Sequence, residues 1–120
     1  MIKKIPQTSI IIAYYKKKQF FEETINSILN QTYSNFEVIL VYDDVDKGEL
    51  NFVIKILSRL PRYKIIINKK NIGAGLSRNK AIHFAKGQYI AFCDADDLWH
   101  KKKLEVQISF MMKKKINFCH

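Results

Sequence analysis

Short apolar runs alternate along the chain with stretches whose apolar positions recur at helical spacing. Ser9-Ile10-Ile11-Ile12-Ala13 is continuous and rich in β-branched residues, as expected of a parallel strand covered on both faces. Between Lys17 and Gln31, Phe21, Ile25, Ile28 and Leu29 fall at i, i+4, i+7 and i+8, one stripe of a helix. Phe36 to Tyr42 predicts a second strand that ends at Asp43-Asp44. A second helix is predicted from Lys47 to Leu60, burying Leu50, Val53, Ile54 and Leu57 and closed by Pro61. Tyr63 to Asn68 predicts a third strand, and Gly73 to Lys86 a third helix with Gly87 as its C-terminal cap. Gln88 to Cys93 predicts a fourth strand. A fourth helix is expected over Trp99 to Lys114, with Leu104, Ile108, Met111 and Met112 inward, and Ile116 to Cys119 reads as a fifth strand cut short.

The strict alternation of strand and helix predicts the α/β class: a parallel, Rossmann-like sheet with right-handed crossovers and helices on both faces. Without a repeat or a low-complexity linker, residues 1–120 read as a single domain that stops in mid-architecture.

Composition narrows the possibilities. At 48% apolar and 27% charged residues, the 120-residue chain has the make-up of a globular domain. No run approaches the roughly 18–20 apolar residues of a membrane span, and the apolar stretch from Ile10 runs straight into Lys16-Lys17-Lys18, unlike a signal peptide. Cys93 and Cys119 lack metal-ligand spacing and suit a reduced, cytoplasmic protein. Collagen, coiled coil, membrane span and disulfide scaffold are thereby excluded. The net charge of +10 favours anionic partners: phosphorylated small molecules, nucleic acid, or peripheral contact with the inner face of an anionic membrane. It also suits mere solubility.

In open parallel sheets ligands bind beyond the carboxyl ends of the strands, and the polar clusters fall on that edge. Tyr14-Tyr15 follows the first strand, Asp43-Asp44 the second, Asn71 to Arg78 the third and Asp94 to Asp97 the fourth. Three carboxylates within Asp94-Ala95-Asp96-Asp97 repel one another, and a hard divalent cation, Mn²⁺ or Mg²⁺, would compensate them. The competing explanation is that Asp96 or Asp97 caps the helix expected to start near Trp99. Gly73 and Gly75 open a helix whose N-terminus would suit a phosphate, with Arg78 within reach. Lys16 to Lys18, Lys69-Lys70 and Lys101 to Lys103 are expected on the same rim, whereas Lys113 to Lys115 suit the end of the last helix.

With these segments in view, the chain resembles the nucleotide-binding half of a family 2 glycosyltransferase of the GT-A fold over about Thr8 to Gln107. The resemblance rests on "SIIIAYYK", "FFEETINSILNQTYSNFEVILVYDD", "NIGAGLSRNKAIHFAKGQYIAFCDADDLW" and "KLEVQ", in that order. It implies a nucleotide-sugar donor, commonly UDP-linked, with Tyr15 stacking on the base and the backbone at Ala13 bonding it. It further implies that Asp44, with Asp43 beside it, reads the base edge and that Arg78 contacts the base or diphosphate region. Asp94 would lie by the ribose and sugar, Asp96 would hold Mn²⁺ or Mg²⁺, and Trp99 would pack behind the loop. The sugar would pass with inversion to a glycan or lipid-linked acceptor.

The family usually has Pro at Ala13, often Asn at Lys16, and Gly-Ser where Val45-Asp46 stands. Its general base and acceptor site come from the half after the metal motif, and the 23 residues after Asp97 contain no matching acidic motif. The expectation is therefore a donor-binding portion without its base.

Three other readings fit less well. A sugar nucleotidyltransferase would need a glycine-rich signature where "IIAYYKKKQ" stands. A receiver domain would need an Asp where Asn68-Lys69-Lys70 stands. A non-catalytic module could sense nucleotide-sugars or bind nucleic acid, but no nucleic acid is expected because the aromatics are not interleaved with the basic clusters. The unfinished sheet edge invites a homo-oligomer.

Overall fold

The computed structural model describes residues 6–114 and 118–119. Five strands are present: β1 (Thr8–Tyr14), β2 (Phe36–Tyr42), β3 (Tyr63–Ile67), β4 (Tyr89–Phe92) and β5 (Phe118–Cys119). Four helices separate them: α1 (Lys18–Leu29), α2 (Leu50–Leu57), α3 (Ala74–Ile82) and α4 (Lys103–Lys114). The strands form one parallel sheet in the order β3-β2-β1-β4-β5, so β1 is central and the chain reverses its winding direction there. Of the expected fifth strand, Phe118 and Cys119 pair beside Ile90 and Ala91, and Ile116 lies outside the described residues.

Alternation along the strands divides the core in two. Ile10, Ile12 and Tyr14 of β1 join Val38, Leu40 and Tyr42 of β2 on one face, beneath Phe21, Ile25 and Ile28 of α1 and Val53, Ile56 and Leu57 of α2. Ile11, Ile39, Val41 and Ile90 face the other way, onto Ala81 of α3. The expected helices on both faces are present.

Several expectations shift in detail. Ile54 is 36% exposed while Ile56 is 2% exposed, because α2 packs through its Val53–Leu57 side. Met112 is exposed on α4, and Leu104, Ile108 and Met111 carry the inward stripe. Gly87 does not cap a helix, since α3 ends at Ile82; instead the Gly87 backbone lies against β1. Among the described residues no helix is long and apolar enough to cross a membrane.

Candidate donor and metal site

The turn after β1 carries Tyr15, 44% exposed at the rim, and Lys16, whose φ of 51° is the left-handed conformation. A lysine pays a steric cost there that asparagine tolerates better. Lys16→Asn is therefore expected to raise the melting temperature by roughly 2–5 °C; an unchanged or lower value in a thermal melt would refute this. The Lys16 ammonium sits 5.2 Å from the Tyr15 ring centroid. Its pKa is raised, first by its interaction with the Tyr15 side chain and then by Asp44. Tyr15, Lys16 and Asp44 thus share one neighbourhood. Ala13, half-buried, pairs with Val41 one residue before the end of β1.

Behind this turn Tyr14 is fully buried, stacked on Tyr42 at 5.5 Å and edge-on to Phe21 at 5.1 Å. Its hydroxyl donates to Glu49; burial and then this carboxylate hold its pKa far above the usual phenol range, so it serves as scaffold.

Asp43 and Asp44 follow β2 and are both buried, but they do different things. The oxygens of Asp43 accept from the backbone N–H of Ile72 (2.8 Å) and Gly73 (2.9 Å) and from the amides of Asn68 (3.0 Å) and Asn71 (3.2 Å). Gly73 takes φ 92°, which favours glycine, and precedes α3 directly. The Asp43 carboxylate thus sits just ahead of α3, on the two N–H groups that precede the helix. Gly75 has open space around it and a negative φ, so nothing local requires glycine. Asp44 accepts from the backbone N–H of Asp46 at 3.0 Å.

Beyond β4, Asp94, Asp96 and Asp97 each offer a carboxylate oxygen, all within 4.8 Å of one another. Neither Asp96 nor Asp97 caps the helix, since α4 begins only at Lys103. Asp97 closes a local turn: its carboxylate accepts from the Asp94 N–H at 3.1 Å, and its own N–H donates to the Asp94 carbonyl at 3.0 Å. Two cations partly balance the cluster, Arg78 on Asp94 at 2.9 Å and Lys17 on Asp96 at 3.3 Å. Hard, clustered oxygens with two of them exposed fit a divalent cation that keeps positions for phosphate or water. Cys93, buried beside them, is pushed far above the usual thiol range by burial and then by Asp97 and Asp94, so it offers no thiolate.

The structure therefore brings Tyr15 and Asp44 together on one side, and Arg78, Asp94 and Asp96 together on another. The Lys101 backbone does not join them, whereas Lys103 sets its ammonium 5.4 Å from the Trp99 ring centroid. The Thr32 N–H donates to the Lys101 carbonyl at 2.8 Å, past the end of α1 opposite to Lys17 and roughly 18 Å along that helix. Lys17 was not singled out as a partner of Asp96, nor was Asn68 as an organiser of the turn. Asn68 is buried; it donates to Asp43 and Ser77 and accepts from Lys80 at 2.7 Å. A polar residue ending an apolar strand was the available signal. Trp99 packs into the core with Leu104.

Comparison with known proteins follows this geometry. The profile of glycosyl transferase family 2 matches residues 9–119. The chain is 40% identical over 112 residues to the UDP-Glc:alpha-D-GlcNAc-diphosphoundecaprenol beta-1,3-glucosyltransferase WfgD of Escherichia coli, covering 93% of this chain and 44% of that protein. It thus spans less than half the length of that curated relative. Among solved structures, S. aureus TarS 1-349 in complex with UDP superposes with a TM-score of 0.77 at 29% identity, covering 89% of this chain and 32% of that one. The mannosyltransferase PcManGT from Pyrobaculum calidifontis, in complex with GDP-Man and Mn²⁺, reaches 0.81 at 22% identity over 90% of this chain and 33% of that one, a likeness of fold.

Proposed function

The chain belongs to glycosyl transferase family 2, and from that premise we propose that it is the donor-binding portion of an enzyme that transfers a sugar from a UDP-linked donor to a glycan or lipid-linked acceptor. The observation that carries this reading is the cluster of Asp94, Asp96 and Asp97 oxygens within 4.8 Å of one another, beside Arg78 and Lys17 at the carboxyl end of the sheet.

In this reading Tyr15 offers its exposed ring as a stacking face for uracil, and the backbone at Ala13 supplies a hydrogen bond to the base. Asp44 reads the base edge. Asp43 works one step back, holding Asn71, Ile72 and Gly73 so that α3 presents Arg78 toward Asp94. Asp94 lies by the ribose and sugar, and Arg78 adds positive charge near the diphosphate. Asp96, with neighbouring oxygens of Asp94 and Asp97, would hold Mn²⁺ or Mg²⁺, which supplies Lewis-acid stabilisation of the departing diphosphate. An acceptor hydroxyl that attacks the anomeric carbon from the opposite face, with inversion, must lose its proton to a base. The carboxylates described here serve the donor, so base and acceptor pocket are assigned to parts of the enzyme outside this stretch. The acceptor class is supported by WfgD, whose name specifies a lipid diphosphate sugar.

Calorimetric titration with UDP tests the reading. Binding is expected with Mn²⁺, lost on chelation, and lost in Asp96→Ala. UDP affinity indifferent to both the metal and that substitution would sink the donor site.

A further inference from the structure

From Ala95 to Lys102 the chain forms no helix or strand, yet it carries or borders all three clustered carboxylates. Backbone groups in such a segment need partners from elsewhere, and α1 supplies them from one face. Thr24, fully buried, shares its hydroxyl proton between the Phe20 carbonyl (3.2 Å) and the Ala95 carbonyl (3.1 Å), and Ala95 stands between Asp94 and Asp96. One turn on, Ser27 Oγ accepts from the Trp99 N–H at 3.1 Å. Another turn on, Gln31 donates to the His100 carbonyl at 2.8 Å and accepts from the Leu104 N–H at 3.0 Å. Thr24 and Ser27 sit at i and i+3 on α1, and Gln31 stands in the turn just past Asn30, its C-terminal cap, so one side of α1 and the turn that closes it track the loop from the carboxylates to the start of α4.

We propose that Thr24, backed by Ser27 and Gln31, is a positioning residue for the carboxylate loop: its bond to the Ala95 carbonyl sets the separation of the Asp94 and Asp96 side chains, and hence the affinity for the metal–diphosphate. The inference rests on the donor reading above. Outer groups that hold metal ligands in place typically contribute 10- to 100-fold in affinity. Thr24 touches no ligand oxygen and acts only through the backbone it holds.

Thr24→Val keeps the shape and removes the hydroxyl; Thr24→Ser keeps the hydroxyl. In the chain as it stands, Mn²⁺-dependent UDP affinity is expected to fall about tenfold in Thr24→Val and to stay within about twofold in Thr24→Ser. Amide hydrogen exchange should accelerate at Ala95 to Asp97 in the valine variant alone, with β1 and β2 as protected as before. Undiminished affinity in folded Thr24→Val would overturn the proposal. So would serine behaving like valine, or exchange rising equally throughout the sheet. If the wild-type chain binds no UDP with Mn²⁺, the donor reading falls. The exchange contrast between valine and serine then still decides whether Thr24 holds the loop.

Discussion

Asp43→Ala is expected to destabilise the folded chain by about 3–5 kcal/mol, seen as a large drop in the urea midpoint with little change in slope. The side chain is 2% exposed and its oxygens accept from two backbone N–H groups and two side-chain amides. Removing it strands the Ile72 and Gly73 N–H groups, while the Asn71 amide keeps the Asp43 carbonyl and the Asn68 amide keeps Ser77 Oγ, and an unsatisfied buried donor costs about 1–3 kcal/mol. Both stranded donors lie at the start of α3, which would also lose the anion that complements its dipole. Asp43→Asn should recover part of the loss, since it keeps one acceptor oxygen but turns an amide toward other donors. A midpoint corresponding to less than about 1 kcal/mol of change in the alanine variant would show that the contacts to Asp43 are dispensable.

Gly87→Ala should be the other severe change, at about 3 kcal/mol or more. A β-carbon at Gly87 would stand 2.6 Å from the Ser9 nitrogen and 2.7 Å from the Thr8 carbonyl carbon. Both atoms belong to the central strand, which is paired on each side and cannot move aside cheaply. The same approach lets the Gly87 N–H donate to Ser9 Oγ at 2.9 Å, while the Lys86 N–H donates to Glu37 at 2.7 Å. Gly75→Ala provides the contrast. It adds a β-carbon in open space on a helix and should stabilise by roughly 0.5–1 kcal/mol. Equal effects at the two glycines in thermal or urea unfolding would refute the close-approach argument.

These two residues show which parts of the molecule can be read from the chain and which cannot. The strands β1 and β2 were legible because apolar β-branched runs buried on both faces leave little ambiguity; β2 runs from Phe36 to Tyr42 as expected. Helix faces were less so. Ile54 and Ile56 are chemically identical, and only the contact between α1 and α2 decides which is covered. Clustering of Asp94, Asp96 and Asp97 was visible because it is local. The partners of Asp43 lie 25 to 30 residues further on, and the close approach at Gly87 is to a strand 78 residues earlier, so spacing alone could not disclose them. The polar side of α1 also carries a signal in the sequence. Thr24, Ser27 and Gln31 follow helical spacing beside an apolar stripe, which is an uneconomical place for polar groups unless they bind something.

The central place of β1 governs how the fold can be acquired over time. Its partner on one side, β2, follows it directly in the chain, but its other edge waits for β4, since Thr8 meets Tyr89 roughly eighty residues later. At ribosomal speeds of about 5–20 residues per second, that interval is on the order of ten seconds. Throughout it, one margin of an isoleucine-rich strand stays open to mispairing with any extended segment nearby. A nascent chain of this kind should be most vulnerable to aggregation, and most dependent on chaperones, before the Gly87 turn has emerged.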